Sequence, residues 1–207
     1  MQYELAPAPQ PETPSLTTRG GVLRTAALAA GGALATVVAL GAADRPMAAP
    51  SAEKDLQVLN LLLVVEYAQA AFYKAALERA GLSGELEDFA RAVLAHEQQH
   101  VAYLERALGS AADPEPTHDL AAVTRDADAF AAAAAKLEDV AVGAYNGQAP
   151  NVTPSAFLAA ARIVSVEARH AAWIRSIRHV DPAPDAVDVP YDEPRVRREL
   201  RSLGVSS

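Results

Sequence analysis

Between residues 51 and 180 the apolar positions recur every three to four residues, in four stretches. The first carries Leu59, Leu62, Leu63, Ala70, Tyr73 and Leu77 on one helical face; the second carries Phe89, Val93, Leu104 and Leu108. Phe130, Ala134, Ala141 and Tyr145 mark the third, and Ala160, Ile163, Val164, Ala171, Ile174 and Ile177 the fourth. A period near 3.6 predicts amphipathic α-helices that share one core. The punctuation sets their limits. Ser51 is placed to cap a helix from Ala52 to Ala80, which Gly81 stops; Ser83-Gly84 opens a second that ends near Gly109. The third runs from Thr124 or Asp126 to Asn146-Gly147. The fourth starts at Thr153-Pro154, with threonine as cap and proline in the first turn, and ends before Asp181. Each helix is about 36–44 Å long at 1.5 Å per residue. Short turns join one to two and three to four, whereas Ser110–Val123, with two prolines, makes a longer crossover. The expectation is an all-α four-helix bundle: two helical hairpins joined by a long crossover. The proline-rich stretch 181–207 follows as a tail, with a short helix over Pro194–Leu203.

Polar residues interrupt the apolar stripes in a repeated way. Glu66 falls in the first stripe, Glu97 and His100 in the second, Glu138 in the third, and Glu167 and His170 in the fourth. Residues i and i+3 share a helix face, so each Glu-x-x-His pair aims both side chains at one point. A lone Glu-x-x-His is a weak signal. Here the order Glu, then Glu-x-x-His, occurs in both hairpins, with 31 positions from Glu66 to Glu97 and 29 from Glu138 to Glu167. Four carboxylates in one core would repel each other and be driven to protonate. Two divalent cations remove the conflict, because four carboxylates and two neutral imidazoles balance their charge. Aromatics follow the same repeat: Tyr73 and Tyr145 stand seven residues after Glu66 and Glu138, and Tyr103 and Trp173 three after His100 and His170. The plain reading of all four is core packing, since aromatics are large core residues; the sharper one sets them around the ligands as hydrogen-bond or electron-transfer groups. His96 should point about 100° away from Glu97 and is not counted as a ligand.

Composition sharpens this picture. The chain has 207 residues, a net charge of −8 and 51% hydrophobic residues, with alanine predominant. Alanine favours helix and lets helices approach closely. The negative charge argues against a nucleic-acid partner, which would need a basic face. There is no cysteine, so disulfides, thiolate metal sites and a lipoprotein anchor are excluded. Oxygen and imidazole donors without thiolate point to iron, with manganese as the alternative.

Residues 1–50 form a leader. Residues 1–18 are rich in Pro and Thr; Arg19 and Arg24 then precede an uncharged run from Thr25 to Ala43. That is the pattern of an export signal, with small residues at Gly41, Ala42 and Ala43 or at Ala48 and Ala49 for cleavage. Thr18-Arg19-Gly20-Gly21-Val22-Leu23-Arg24 resembles a twin-arginine signal, except that Gly20 stands where the second arginine belongs. The run also suffices as an uncleaved membrane anchor. Its third reading, a buried helix of the fold, is disfavoured because it has no amphipathic stripe.

At its ligand positions the chain resembles the ferritin-like superfamily, and within it the exported bacterial ferritin-like domain proteins grouped with desiccation-related proteins. The resemblance rests on Leu59-Asn60, Glu66-Tyr67, Phe72-Tyr73 and His96-Glu97-Gln98-Gln99-His100 in the first half. In the second half it rests on Leu137-Glu138, Gly143-Ala144-Tyr145 and Val166-Glu167-Ala168-Arg169-His170-Ala171-Ala172-Trp173. It covers residues 51–180 and no ligand position departs from it. It implies that Glu97 and Glu167 bridge two metal ions, that Glu66 and Glu138 are terminal ligands, and that His100 and His170 hold one ion each. Three functions follow as expectations: a di-iron oxidoreductase acting on O₂ or peroxide, a non-enzymatic metal-binding stress or envelope protein, and a metal-free structural bundle. The complete ligand set argues against the last.

Overall fold

The computed structural model describes residues 50–206; the leader, with its export and anchor readings, lies outside the described residues. Five helices are formed there: α1 (Ala52–Arg79), α2 (Gly84–Leu108), α3 (Ala127–Gln148), α4 (Pro154–Ile177) and α5 (Glu193–Ser202). The first four make the all-α, ferritin-like bundle. Helices α1 and α2 pair as one hairpin and α3 and α4 as the other; across the bundle α1 meets α3, and α2 meets α4.

Local chemistry explains most of the boundaries. Ser51 Oγ accepts from Lys54 N at 3.1 Å, and Glu53 and Asp55 place negative charge at the positive end of α1. Asp126 caps α3 by accepting from Ala129 N at 2.7 Å. Thr153 differs from expectation. Its hydroxyl and its N–H both donate to Asp55, at 2.6 and 2.8 Å, so it ties the start of α4 to the start of α1 instead of capping its own helix.

The core is continuous along the bundle. Leu62, Leu63, Val65, Phe72, Phe89, Val93, Leu104, Phe130 and Ile174 are all buried. Burying each such side chain contributes about 1.5–3 kcal/mol. Phe72 stacks on Phe130 at 5.2 Å between centroids, and Tyr73 meets both Phe89 and Phe130 edge-on, closing one end of the interior with rings.

The C-terminal stretch is more tightly held than a loose tail. Asp192 caps α5, whose Val196 and Leu200 are buried where α5 meets α3. Val205–Ser206 then pairs antiparallel with Thr117–His118 of the crossover, in the register Thr117↔Ser206 and His118↔Val205. Tyr191 is the clasp. It donates its N–H to Gly143 O at 2.8 Å, and its ring lies under the Arg195 guanidinium at 3.5 Å. The clasp needs bare backbone on α3: a Cβ at Gly143 would stand 2.7 Å from the Tyr191 ring, and one at Gly147 would overlap the Tyr191 carbonyl. Gly147→Ala should therefore undock this segment and lower stability by about 1–3 kcal/mol, despite the gain in helix propensity. Urea melts, with limited proteolysis across residues 181–190, check this; wild-type values for both would show that the clasp contributes nothing.

Candidate metal centre

Glu66, Glu97, Glu138 and Glu167 have no solvent exposure, and His100 and His170 are buried. The four helices bring these six side chains to one place in the middle of the bundle, where their ligand atoms form two groups. Glu66, Glu97, His100 and Glu167 make one; Glu97, Glu138, Glu167 and His170 make the other; each lies within 4.8 Å. Glu97 and Glu167 belong to both.

The distances show an approximate twofold relation. His100 Nδ1 stands 2.9 Å from Glu97 Oε2, 3.0 Å from Glu167 Oε1 and 3.2 Å from Glu66 Oε2. His170 Nδ1 stands 3.1 Å from Glu97 Oε1, 3.4 Å from Glu138 Oε2 and 3.7 Å from Glu167 Oε2. Glu97 and Glu167 thus turn one oxygen to each histidine, while Glu66 and Glu138 serve one histidine each. The remaining oxygens of the latter pair accept hydrogen bonds from tyrosines of the opposite hairpin. Tyr145 donates to Glu66 Oε1, and Tyr73 donates to Glu138 Oε1.

Burial acts strongly on this cluster. It raises Glu66 well above the ordinary carboxylate range, reinforced by the charge of Glu167, and pushes Glu138 up to about 8. Burial would also raise Glu167, but the two imidazoles beside it outweigh that and hold it at about 2. Burial disfavours charge on both histidines, yet the surrounding carboxylates raise each to about 12. Tyr73 and Tyr145 are likewise driven well above 10 by burial and by the carboxylates they touch. Without a cation, the cluster therefore balances its charge by holding protons.

Protons do not satisfy it geometrically. Glu97 Oε1, Glu167 Oε1 and His170 Nδ1 are buried without a hydrogen-bond partner. They stand close to oppositely charged neighbours, but at angles where no N–H points at an oxygen. A buried polar atom left so costs about 1–3 kcal/mol. The orphaned atoms are ligand atoms turned inward, and hard oxygen and imidazole donors suit a divalent cation. The residues present fit a metal ion in each of the two groups.

Two further polar residues touch the cluster: Gln69, which the sequence did not single out, and His96, which it had not counted as a ligand. Gln69 is fully buried; its Nε2 lies 2.9 Å from Glu167 Oε2 and 3.3 Å from both oxygens of Glu138. His96, at the surface, meets His170: Nδ1 and Nε2 are 2.9 Å apart and the rings nearly parallel. Two expected neighbours are not brought in. Trp173 gives its indole N–H to Glu85 at 3.3 Å and packs edge-on against Phe89, because its i+3 step from His170 carries it toward α2's first turns. Tyr103 is partly buried against the core and makes no hydrogen bond to the cluster among the described residues.

Compared with known proteins, residues 54–179 match the model of a family described as ferritin-like domain. A search of curated proteins finds no match to the chain.

Proposed function

Because this chain belongs to the ferritin-like domain family, we propose that it is an exported di-iron carboxylate protein with redox activity toward O₂ or peroxide, of the desiccation-related type. One observation carries the reading: two four-residue ligand groups, each with three carboxylates and one imidazole, share Glu97 and Glu167. In this reading Glu97 and Glu167, common to both groups, would serve both ions. Glu66 and His100 complete one position, and Glu138 and His170 the other. When bound, two iron ions supply two electrons to one oxidant.

The rest belongs to the chain. Four rigid helices fix the donors before any ion arrives, so no large rearrangement opposes loading. Tyr73 and Tyr145 hold one oxygen of each terminal carboxylate and leave the other turned toward its histidine. The rings of Phe72, Phe89 and Phe130 keep bulk water from that end of the interior. Export rests on the Arg19–Ala43 pattern in the leader, and cell fractionation tests it: recovery only from the cytosol would overturn it.

For the chemistry, Fe²⁺ added to the apo protein should be oxidised by O₂ or peroxide faster than free Fe²⁺ in the same buffer. The double variant His100→Ala, His170→Ala should lose at least about tenfold in rate, since even groups outside the ligand set change metal sites by 10–100-fold. An undiminished rate would assign the oxidation to surface carboxylates. Tight binding without accelerated oxidation would leave a non-enzymatic metal-binding envelope protein.

A further inference from the structure

The approximate twofold relation fails at two places, and both failures fall on the same side. Gln69 stands three residues after Glu66; the equivalent position after Glu138 is Ala141, which offers no donor. His96 stands one residue before Glu97; the equivalent position before Glu167 is Val166. Gln69 reaches Glu138 and Glu167, and His96 reaches His170. All three contacted residues belong to the group formed by Glu97, Glu138, Glu167 and His170. Glu167 is shared with the group around His100, but Glu138 and His170 are not, and among the described residues neither Glu66 nor His100 receives a comparable contact.

We propose that Gln69 is a seventh donor of the centre, serving the Glu138–His170 position, and that this position binds its ion more tightly than the Glu66–His100 position. The inference rests on the di-metal reading above. The Gln69 amide is fully buried, and its Oε1 has no partner. Turning the amide over about its last torsion exchanges oxygen for nitrogen. Oε1 then takes the place now 2.9 Å from Glu167 Oε2 and 3.3 Å from both Glu138 oxygens. Two donors at about 2.1 Å on adjacent corners of an octahedron stand about 3 Å apart, so the amide already has the spacing of a co-ligand to those carboxylates. Only a bound ion would give that oxygen a partner, and the exchange would then place Nε2 where Oε1 now has none. His96 adds to the same position independently. With Nδ1 of His170 given to an ion, its Nε2–H would donate to His96 Nδ1, 2.9 Å away. This contact fixes the ring in the tautomer that presents a lone pair to a cation. Among the described residues, Nε2 of His100 has no such partner.

Single-position variants test the order directly, with Mn²⁺ alone as the probe, followed by calorimetry and by the loss of the free-ion EPR signal. Glu66→Ala keeps the Glu138–His170 position, and Glu138→Ala keeps the other. Each should bind one ion, the first variant at least about tenfold more tightly than the second. Two like positions that merely repel each other's ions would give equal affinities in this pair, and equality or the reverse order overturns the proposal. Adding Gln69→Leu, close in volume, should weaken binding about tenfold in the Glu66→Ala background and leave the Glu138→Ala background unchanged. An equal loss in both would mark Gln69 as structural, and no loss in either would exclude it as a donor. Should a Glu→Ala chain fail to fold, Gln69→Leu alone decides: it should weaken the first of two binding steps, and an unchanged first step overturns the proposal. If the wild type binds no Mn²⁺ or Fe²⁺ at all, the di-metal reading itself falls; if it binds two ions and the variants match, only the present inference does.

Discussion

Stripped of metal, the domain should lose stability as the pH rises from about 5 to 8, and bound metal should reverse that slope. The native state holds protons that the unfolded chain releases. Glu138 titrates at about 8 in the fold against 4.5 when unfolded, and Glu66 is raised in the same direction, both chiefly by burial. A raised group contributes its full stability below its unfolded value and loses it as the pH climbs through its folded value. For Glu138 that window is 4.5 to 8, and the loss is on the order of 4 kcal/mol. His100 and His170, raised to about 12, extend the decline above 6.5. Glu167, held at about 2, acts oppositely, but its contribution is complete above 4.5 and flat across this window. Metal ions must displace these protons, so their affinity rises with pH. At 100 to 1,000 times its dissociation constant, one ion adds about 2.7–4.1 kcal/mol, a rise of about 5–15 °C in Tm. Urea melts at pH 5 and pH 8, with chelator and with Mn²⁺, check both signs. Apo stability that increases over this interval would show that the cluster does not hold the protons assigned to it.

The second large effect is on stoichiometry. Glu97 and Glu167 each turn one oxygen to His100 and one to His170, so removing both should abolish binding at both positions. The double variant Glu97→Ala, Glu167→Ala should fall from two ions per chain to none, with affinity reduced by more than about 100-fold. Glu66→Ala should retain one ion, because Glu66 approaches only His100. The apo fold should survive the double change, since each buried carboxylate removed relieves repulsion that offsets part of the cavity left behind. Metal analysis after desalting gives the answer, and two ions per chain in the double variant would refute the shared-ligand assignment.

The contrast between what was legible and what was not has physical causes. Glu66, Glu97, Glu138 and Glu167 stand out in the sequence because a charge in an apolar stripe demands an explanation, and a repeated one demands a shared explanation. Gln69 carries no charge and has no partner in the second half, so it resembles an ordinary helix residue until the packing of α1 against α3 and α4 is known. His96 was set aside as a ligand because its helical position points away from Glu97, and it is in neither of the two ligand groups. What the helical wheel omits is the neighbouring helix, which brings the His170 ring across to meet it. Trp173 follows the packing reading instead: the internal repeat also suggested a role beside the ligands, which its contacts to Phe89 and Glu85 do not show. The docking of α5 was obscure because its apolar face is only Val196 and Leu200 in a strongly polar segment, and the two-residue strands carry too little pattern to detect.

The crossed tyrosines have a consequence for the life history of the molecule. Tyr73 of the first hairpin completes a carboxylate of the second, and Tyr145 returns the favour to Glu66. Neither hairpin, made alone, possesses a finished half of the centre. In the di-metal reading, capture of ions would therefore be the closing event of maturation, available only after both halves have met. A chain threaded through a membrane in an unfolded form would carry no ions with it, and its metal would have to come from the compartment in which it folds.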